Sequence, residues 1–202
     1  MTRPQPAKPT THLLYLHGFR SSPGSFKARC MAAWMRSNRP DVHWWCPSLP
    51  PSPAAAWRLI TDGIQHWPHD TLAVIGSSLG GFYATAVAES TGCRAMLLNP
   101  AINPARDLTK YIGEQTQFHA PDERFFFRPE FIDELKSLHQ PVITQAGRYG
   151  AVIARGDEVL DWREMLGRYP GATVHLLEGG DHAISDFEQH LPFVLNFLNL
   201  CD

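Results

Sequence analysis

The chain has 202 residues, enough for one domain with a substantial apolar core. Its formal net charge of −2 excludes the strongly basic surface that binding to nucleic acid or to an anionic membrane requires. No apolar run approaches the ~20 residues that span a bilayer, so no transmembrane helix is predicted.

The cysteines and the first ten residues indicate the cellular compartment. No two cysteines are spaced like a zinc-binding or redox CxxC pair; they are Cys30, Cys46, Cys93 and Cys201. Because the amino terminus shows no secretory signal pattern, we expect reduced thiols in a cytoplasmic protein. Residues 1–10 are polar and rich in proline, so we expect a flexible tail followed by one domain over residues 11–202.

Short apolar runs alternate with amphipathic stretches, which predicts an α/β fold with a mainly parallel sheet and helices on both faces. Six strands are predicted, at residues 12–16, 42–46, 72–75, 95–98, 149–155 and 173–177. Helices are predicted at residues 25–36, 53–66 and 82–91, and again after the fifth and sixth strands.

Local signals define several helix ends. Ser52, followed by proline, fits an N-cap, and Gly92 fits a carboxyl-terminal glycine. Asp161 is expected to cap the helix that follows the fifth strand. Residues 185–188 fit a capping box, after which Pro192 either kinks that helix or starts a new one.

The alternation stops between residues 102 and 140, an irregular stretch with three consecutive phenylalanines, Phe125, Phe126 and Phe127. Because the stretch is too short for a core of its own, we predict a lid-like insertion. The phenylalanines form either an acyl-binding wall or the simple packing of a short lid. Residues 140–144, ahead of the fifth strand, fit either an extra strand or a loop.

The sequence Gly76-Ser77-Ser78-Leu79-Gly80 joins the third strand to the helix after it. In that context, Gly-x-Ser-x-Gly predicts a nucleophile elbow, a sharp turn that exposes its central serine at the carboxyl end of the strand. The glycines permit the strained turn and keep side chains away from Ser78, the predicted nucleophile. Taken alone, the pattern is short and also occurs in ordinary loops.

A serine nucleophile needs a histidine base and an acid that orients the histidine, in the chain order Ser, Asp or Glu, His. Asp157 is the first acid after the fifth strand, so we predict it as the acid; Glu158 and Asp161 compete with it. His182 follows the sixth strand and two glycines, and it is the best placed of the 10 histidines. Its neighbour Asp181 has no assigned role.

The oxyanion of a tetrahedral intermediate needs N–H donors. We predict the backbone N–H of Leu79, at the amino end of a helix, and that of Phe19, in the loop after the first strand. His17 in the same loop is expected to fix the loop rather than to act as a second base. Arg20 is a candidate to bind an anionic part of a substrate, the alternative being a solvated surface arginine.

Four motifs follow one another along the chain: His-Gly-Phe, Gly-Ser-Ser-Leu-Gly-Gly, Gly-Asp-Glu-Val-Leu-Asp and Gly-Gly-Asp-His. With Leu49-Pro50-Pro51, Asn99-Pro100-Ala101 and His190-Leu191-Pro192, they make the chain resemble the YqiA/YcfP-type family of small bacterial α/β-hydrolase esterases. The resemblance covers nearly the whole chain after the tail. It implies a compact α/β-hydrolase fold and a serine esterase acting on carboxylic esters or acyl thioesters, with the serine, aspartate and histidine named above as the triad.

We therefore expect an ester hydrolase that works through an acyl-enzyme and needs no metal or organic cofactor. The expected partner is a small acyl ester or thioester, not nucleic acid or a membrane, and the pattern favours no particular oligomeric state. Two alternatives stay open: thioesterase, amidase or acyltransferase chemistry on the same triad, and a non-catalytic binding module of the same fold. The presence of every triad residue favours the enzyme, because non-catalytic relatives usually lack one.

Overall fold

A computed structural model describes residues 8–118 and 122–201 of the chain. Residues 1–7, which make up most of the predicted tail, lie outside the described residues, as do 119–121 and 202. Thr10, the last residue of the predicted tail, is buried, and its hydroxyl donates a hydrogen bond of 2.5 Å to the carbonyl of Leu198. Packing of the domain therefore begins before the predicted boundary.

The described residues form eight strands and seven α-helices. The strands are β1 (His12–Leu16), β2 (His43–Trp45), β3 (Leu72–Ser77), β4 (Arg94–Leu98), β5 (Gly113–Thr116), β6 (Arg124–Phe127), β7 (Tyr149–Ala154) and β8 (Thr173–Leu177). The helices are α1 (Phe26–Asn38), α2 (Pro53–Ile64), α3 (Leu79–Thr91), α4 (Pro104–Asp107), α5 (Glu130–Leu138), α6 (Trp162–Arg168) and α7 (Phe187–Phe197). Among the described residues, every helix is too short or too polar to span a bilayer.

Six strands form the main sheet, all of them parallel, in the order β2-β1-β3-β4-β7-β8. The predicted α/β fold and its six-stranded sheet are confirmed. Because parallel strands end at the same edge, the loops after β1, β3, β4, β7 and β8 meet there. The chain moves outward from β1 to β2 and returns on the other side as β3. This change of direction opens a crevice at the carboxyl ends of β1 and β3, where ligands bind in such folds.

Alternate residues of the central strands pack on opposite faces of the sheet. In β1, Leu14 and Leu16 belong to an apolar cluster shared with α2, α3, α5 and α6, whereas Leu13 and Tyr15 join a cluster shared with α1 and α7. All six residues of β3 are buried, as expected for a strand covered on both faces. Helices therefore cover both faces, and the loops at the carboxyl edge stand on a rigid core.

Three predicted helix ends are confirmed. The Ser52 hydroxyl accepts a hydrogen bond of 3.1 Å from the N–H of Ala55 at the start of α2. The Asp161 carboxylate accepts one of 2.9 Å from the N–H of Arg163 at the start of α6. Gly92 ends α3 with a φ of 79°, in the left-handed region that favours glycine.

The predicted capping box at residues 185–188 is wrong. The hydroxyl of Ser185 donates to the carboxylate of Asp181 at 2.6 Å, and Asp186 occupies the N-cap of α7. Because α7 begins at Phe187, Ser185 lies one residue before the N-cap, and Glu188 does not occupy the N3 position that a capping box requires. Pro192 lies inside α7 and does not start a new helix.

Residues 102–140 contain α4, a 3-10 turn, the antiparallel hairpin of β5 and β6, and α5. The irregular pattern of this stretch did not predict the hairpin. The insertion is anchored on α2, because the carboxylate of Glu134 accepts hydrogen bonds from the Ser52 hydroxyl at 2.8 Å and from the N–H of Ala54 at 2.9 Å. Residues 140–144 form a loop, not an extra strand.

Candidate active site

Ser78 joins β3 to α3 in a backbone conformation that residues other than glycine rarely adopt. Its φ is 55° and its ψ is −120°, and such a conformation costs roughly 1–3 kcal/mol. Three hydrogen bonds hold it: the N–H of Ser78 donates to the carbonyl of Leu98 at 3.0 Å, and its own carbonyl accepts from Ala101 at 3.0 Å and from Gly81 at 2.9 Å. The turn therefore has the strained geometry of a nucleophile elbow.

Two glycines let the backbone close around this turn. A Cβ on Gly80 would lie 1.9 Å from the carbonyl oxygen of Leu16, so α3 can approach the end of β1 only without a side chain there. A Cβ on Gly18 would lie 3.1 Å from the Cβ of Ser78 and 3.6 Å from its hydroxyl. The loop after β1 thus runs directly beside the serine.

The side chains of Ser78, His182 and Asp157 form one continuous chain of hydrogen bonds. Nε2 of His182 is 3.0 Å from the hydroxyl oxygen of Ser78, and Nδ1 is 2.8 Å from Oδ2 of Asp157. The side chain of Asp157 is fully buried, whereas 21% of the His182 side chain is exposed. Because the carboxylate accepts the Nδ1–H, Nε2 is left to accept the proton of the serine hydroxyl.

The backbone of the loop after β7 holds Asp157. Its Oδ1 accepts hydrogen bonds of 2.8 Å from the N–H groups of both Val159 and Leu160, so Oδ2 is left for the imidazole. The competing acids have other partners. Glu158 accepts a hydrogen bond of 3.0 Å from the backbone N–H of His182, and Asp161 caps α6. Of the three candidate acids, Asp157 alone contacts the imidazole ring.

Asn99 is a candidate positioning residue for which none of the sequence motifs predicts a role. It is fully buried, with a φ of 43°. Its Oδ1 accepts from the N–H of Ala154 at 2.8 Å, and its Nδ2 donates to the carbonyls of Asp181 at 3.0 Å and His182 at 3.2 Å. One amide therefore joins the ends of β4 and β7 to the histidine loop. Its position directly after a predicted strand, in a residue type that tolerates positive φ, is the signal that could have found it.

Phe19 and Leu79, the predicted oxyanion donors, both line the cavity that contains Ser78. Within the part of the chain that the structure describes, neither N–H donates a hydrogen bond to another protein group. Leu79 is the first residue of α3, where the helix dipole favours negative charge. The structure thus brings two N–H groups without protein acceptors to the cavity of the serine.

His17 fixes the loop that carries Phe19. Its Nε2 accepts a hydrogen bond of 3.0 Å from the N–H of Leu49, so Nδ1 carries the proton and donates to the carbonyl of Gly18, also at 3.0 Å. Burial lowers the pKa of this imidazole, which favours the neutral form that this arrangement needs. His17 therefore fixes the loop, as expected.

Arg20 ties the loop after β1 to the insertion. Its Nε donates to the carbonyl of Thr116 at 2.7 Å, and its Nη2 donates to the hydroxyl of the same residue at 3.1 Å. Its guanidinium lies 4.5 Å from the centre of the Phe118 ring. Arg20 also lines the cavity at Ser78. It is therefore not a merely solvated arginine, although its guanidinium is already engaged with β5.

The three phenylalanines of β6 alternate in direction. Phe125 and Phe127 both pack edge-on against Phe19, with ring centroids 6.0 and 5.1 Å away. Phe127 is buried in the core, and Phe125 lines a small cavity beside Phe19. Phe126 is 58% exposed. The structure therefore brings Phe125 close to the predicted site, uses Phe127 for packing and does not bring Phe126 there.

Two cavities meet at Ser78 and His182. The smaller has a volume of about 160 Å³, and its apolar lining includes Leu108, Tyr111, Val159 and Leu160. The larger has a volume of about 630 Å³ and extends along the loop after β1, the start of α1 and the residues that follow His182. Its lining includes Ser25, Lys27, Ala183 and Ser185. A ligand attached at Ser78 therefore has two directions in which to extend.

Comparison with known proteins places the chain in a family. The sequence matches the family described as "Uncharacterised protein family (UPF0227)" over residues 12–199. A UPF0227 protein of Yersinia pseudotuberculosis is 25% identical over 193 residues, which cover 93% of this chain and 99% of the relative.

Two solved structures share the fold. A putative hydrolase from Agrobacterium vitis is 14% identical with a TM-score of 0.75, covering 95% of this chain and 91% of the other. Mouse alpha/beta hydrolase domain-containing protein 10 is 16% identical with a TM-score of 0.69, covering 94% and 91%. At these identities the likeness establishes the α/β-hydrolase fold. The chain belongs to the UPF0227 family, the YqiA/YcfP-type group that its motifs resemble.

Proposed function

We propose that this protein is a serine hydrolase that cleaves carboxylic esters or acyl thioesters through a covalent acyl-enzyme. The observation that carries the proposal is the unbroken hydrogen-bond chain from the Ser78 hydroxyl through His182 to the buried carboxylate of Asp157. A serine in a strained turn, a base within 3.0 Å and an acid that orients the base are the parts that nucleophilic acyl transfer requires.

In the first half-reaction, Oγ of Ser78 attacks the acyl carbon while Nε2 of His182 takes its proton. The N–H groups of Phe19 and Leu79 stabilise the resulting oxyanion, and loss of one such donor typically costs ~3 kcal/mol in the transition state. Collapse of the intermediate breaks the bond to the leaving group, which receives the proton from Nε2. Asp157 holds the ring and stabilises its charged form throughout.

In the second half-reaction, water takes the place of the leaving group. His182 removes a proton from the water as its oxygen attacks the acyl carbon, and then returns that proton to Oγ of Ser78. The carboxylic acid leaves and the serine is regenerated. His182 thus carries both protons, the first from Ser78 to the leaving group and the second from water to Ser78.

The two cavities support separate places for the two parts of the substrate. The larger is lined by Ala183 and Ser185, which follow the residue that protonates the leaving group, so we assign the leaving group to it. The smaller is lined by Leu79, one of the two proposed oxyanion donors, and the larger is not, so we assign the acyl group to the smaller. Rates on p-nitrophenyl esters and CoA thioesters with the same graded series of acyl chains would define the preferred leaving group and chain length.

A fluorophosphonate probe is expected to label Ser78, because its activated Oγ displaces fluoride from phosphorus and forms a stable ester. Peptide mass spectrometry identifies the labelled residue. The Ser77→Ala variant is the matched control and should still be labelled, whereas Ser78→Ala should not. Resistance of the folded wild-type protein to the probe would contradict the proposal.

Replacing Phe125 with alanine is expected to shift the preference toward longer acyl chains. Its ring lines a small cavity that shares Phe19, Arg20 and Leu79 with the cavity assigned to the acyl group, so its removal adds space beside that cavity. The measurement is kcat/KM across the graded p-nitrophenyl esters. Phe126→Ala on the same strand is the control: its side chain points away, so its profile should match that of the wild type. An equal shift in both variants would show that the hairpin acts without direct contact.

A further inference from the structure

Three successive carbonyl oxygens of the histidine loop accept hydrogen bonds from side chains outside that loop. Nδ2 of Asn99 donates to the carbonyls of Asp181 and His182, and the ammonium of Lys27 donates to the carbonyl of Ala183. The N–H of His182 donates in turn to Glu158. The segment that carries the imidazole is therefore fixed on both sides by groups from α1, from the end of β4 and from the loop after β7.

Lys27 is an unusual residue for this purpose. It is 9% exposed, although lysines are almost never buried unless they are paired. Burial lowers the pKa of its ammonium to about 8, while the nearby carboxylates of Asp181 and Asp157 act in the opposite direction. Removing an ammonium from water costs free energy, and an apolar side chain at this position would avoid that cost. A buried cation beside the proposed triad therefore calls for a functional reason.

The position of Lys27 in the chain supplies that reason. It lies in the first turn of α1, and the loop that precedes α1 carries Phe19, the proposed oxyanion donor. The hydrogen bond to Ala183 therefore links the start of α1, into which the oxyanion loop runs, to the histidine loop. The donor and the base must converge on one acyl carbon, and a displacement of ~1 Å between such groups can cost ~10²-fold in rate.

We propose that Lys27 is a positioning residue that fixes the histidine loop relative to the oxyanion loop. The inference rests on the proposed function, because the proposed reaction is what requires the two loops to bring the oxyanion donor and the base to one acyl carbon. The carboxylates of Asp157 and Asp181 lie close enough to the ammonium to influence its pKa. Glu158 and His182 line the larger cavity together with Lys27. Lys27 therefore also places a positive charge among the carboxylates that surround the base.

The test compares Lys27→Met, which removes the donor and the charge at similar length, with Lys27→Arg, which keeps both. Arg29→Met is the matched control, because it removes one cation from an exposed position of the same helix. The measurements are kcat and KM for p-nitrophenyl acetate, and the proton resonance of the His182 Nδ1–H in the bond to Asp157. We expect kcat to fall ~10- to 100-fold in Lys27→Met with KM within about twofold. The Nδ1–H resonance should shift or broaden, and Lys27→Arg should recover most of the activity.

A wild-type kcat in folded Lys27→Met, or an equal loss in Arg29→Met, would overturn the inference. A raised KM with unchanged kcat would also overturn it, because it would indicate a ground-state contact with substrate instead. If Lys27→Met does not fold, Lys27→Gln, which shortens the side chain, is measured with the same outcomes. A wild-type protein that neither reacts with fluorophosphonate nor hydrolyses esters would defeat the proposed function itself, whereas an active wild type with an unaffected variant defeats this inference alone.

Discussion

Replacing His182 with alanine is expected to reduce kcat/KM for p-nitrophenyl acetate by about 10⁴-fold or more. The Ser78 hydroxyl would lose its acceptor at 3.0 Å, and the leaving group would lose its proton donor. The side chain is 21% exposed and lies at the edge of the sheet, outside the apolar core, so the circular dichroism spectrum should stay native. Initial rates and the spectrum together separate lost chemistry from lost folding.

The matched control for this variant is His190→Ala. His190 lies in α7, pairs with His175 at 3.2 Å and lines neither of the two cavities at Ser78. The His190→Ala variant should keep most of the wild-type kcat/KM. Full activity in His182→Ala would mean that another group is the base.

Gly80→Ala is expected to have the largest effect on stability, lowering the free energy of unfolding by at least ~3 kcal/mol. The new Cβ would meet backbone atoms, 1.9 Å from the carbonyl oxygen of Leu16 and 2.8 Å from that of His17. Neither can move by a change of side-chain rotamer, so α3 would have to shift away from β1. Urea unfolding measures the loss as a lower midpoint at unchanged slope.

Gly167→Ala provides the comparison. Gly167 lies in α6, and a Cβ there would meet nothing within 4 Å. Alanine in a helix interior is more stable than glycine by roughly 0.5–1 kcal/mol, so this variant should unfold at a slightly higher urea concentration. Equal behaviour of the two variants would show that the close approach at Gly80 does not constrain the fold.

The sheet and most of the candidate site could be predicted because they depend on local signals. Buried parallel strands appear as short apolar runs, and residues directly after them must lie at one edge of the sheet. This placement is enough to bring Ser78, Asp157 and His182 into one neighbourhood. The distances between their side chains then depend on the close approach of the backbone that Gly18 and Gly80 allow beside the serine turn.

The remaining features depend on partners far away in the chain. Strand β5 is polar, and it is held by pairing with β6 and by the guanidinium of Arg20, so its own pattern gave no strand signal. The hydrogen-bond partners of Asn99 and Lys27 were not predictable for the same reason. Each donates to a carbonyl more than 80 residues away, and no spacing rule identifies such a pair.

Phe19 combines a proposed role of its backbone with an observed packing role of its ring. Its backbone N–H is the proposed oxyanion donor, while its ring packs against Tyr111, Phe125 and Phe127 of the insertion. Because these contacts restrict the side-chain torsions of Phe19, a ligand large enough to push the hairpin aside is expected to pull on the loop after β1 and turn the amide away from the acyl carbon. Oversized substrates would then be rejected at the bond-breaking step rather than at entry, as a fall in kcat with little change in KM.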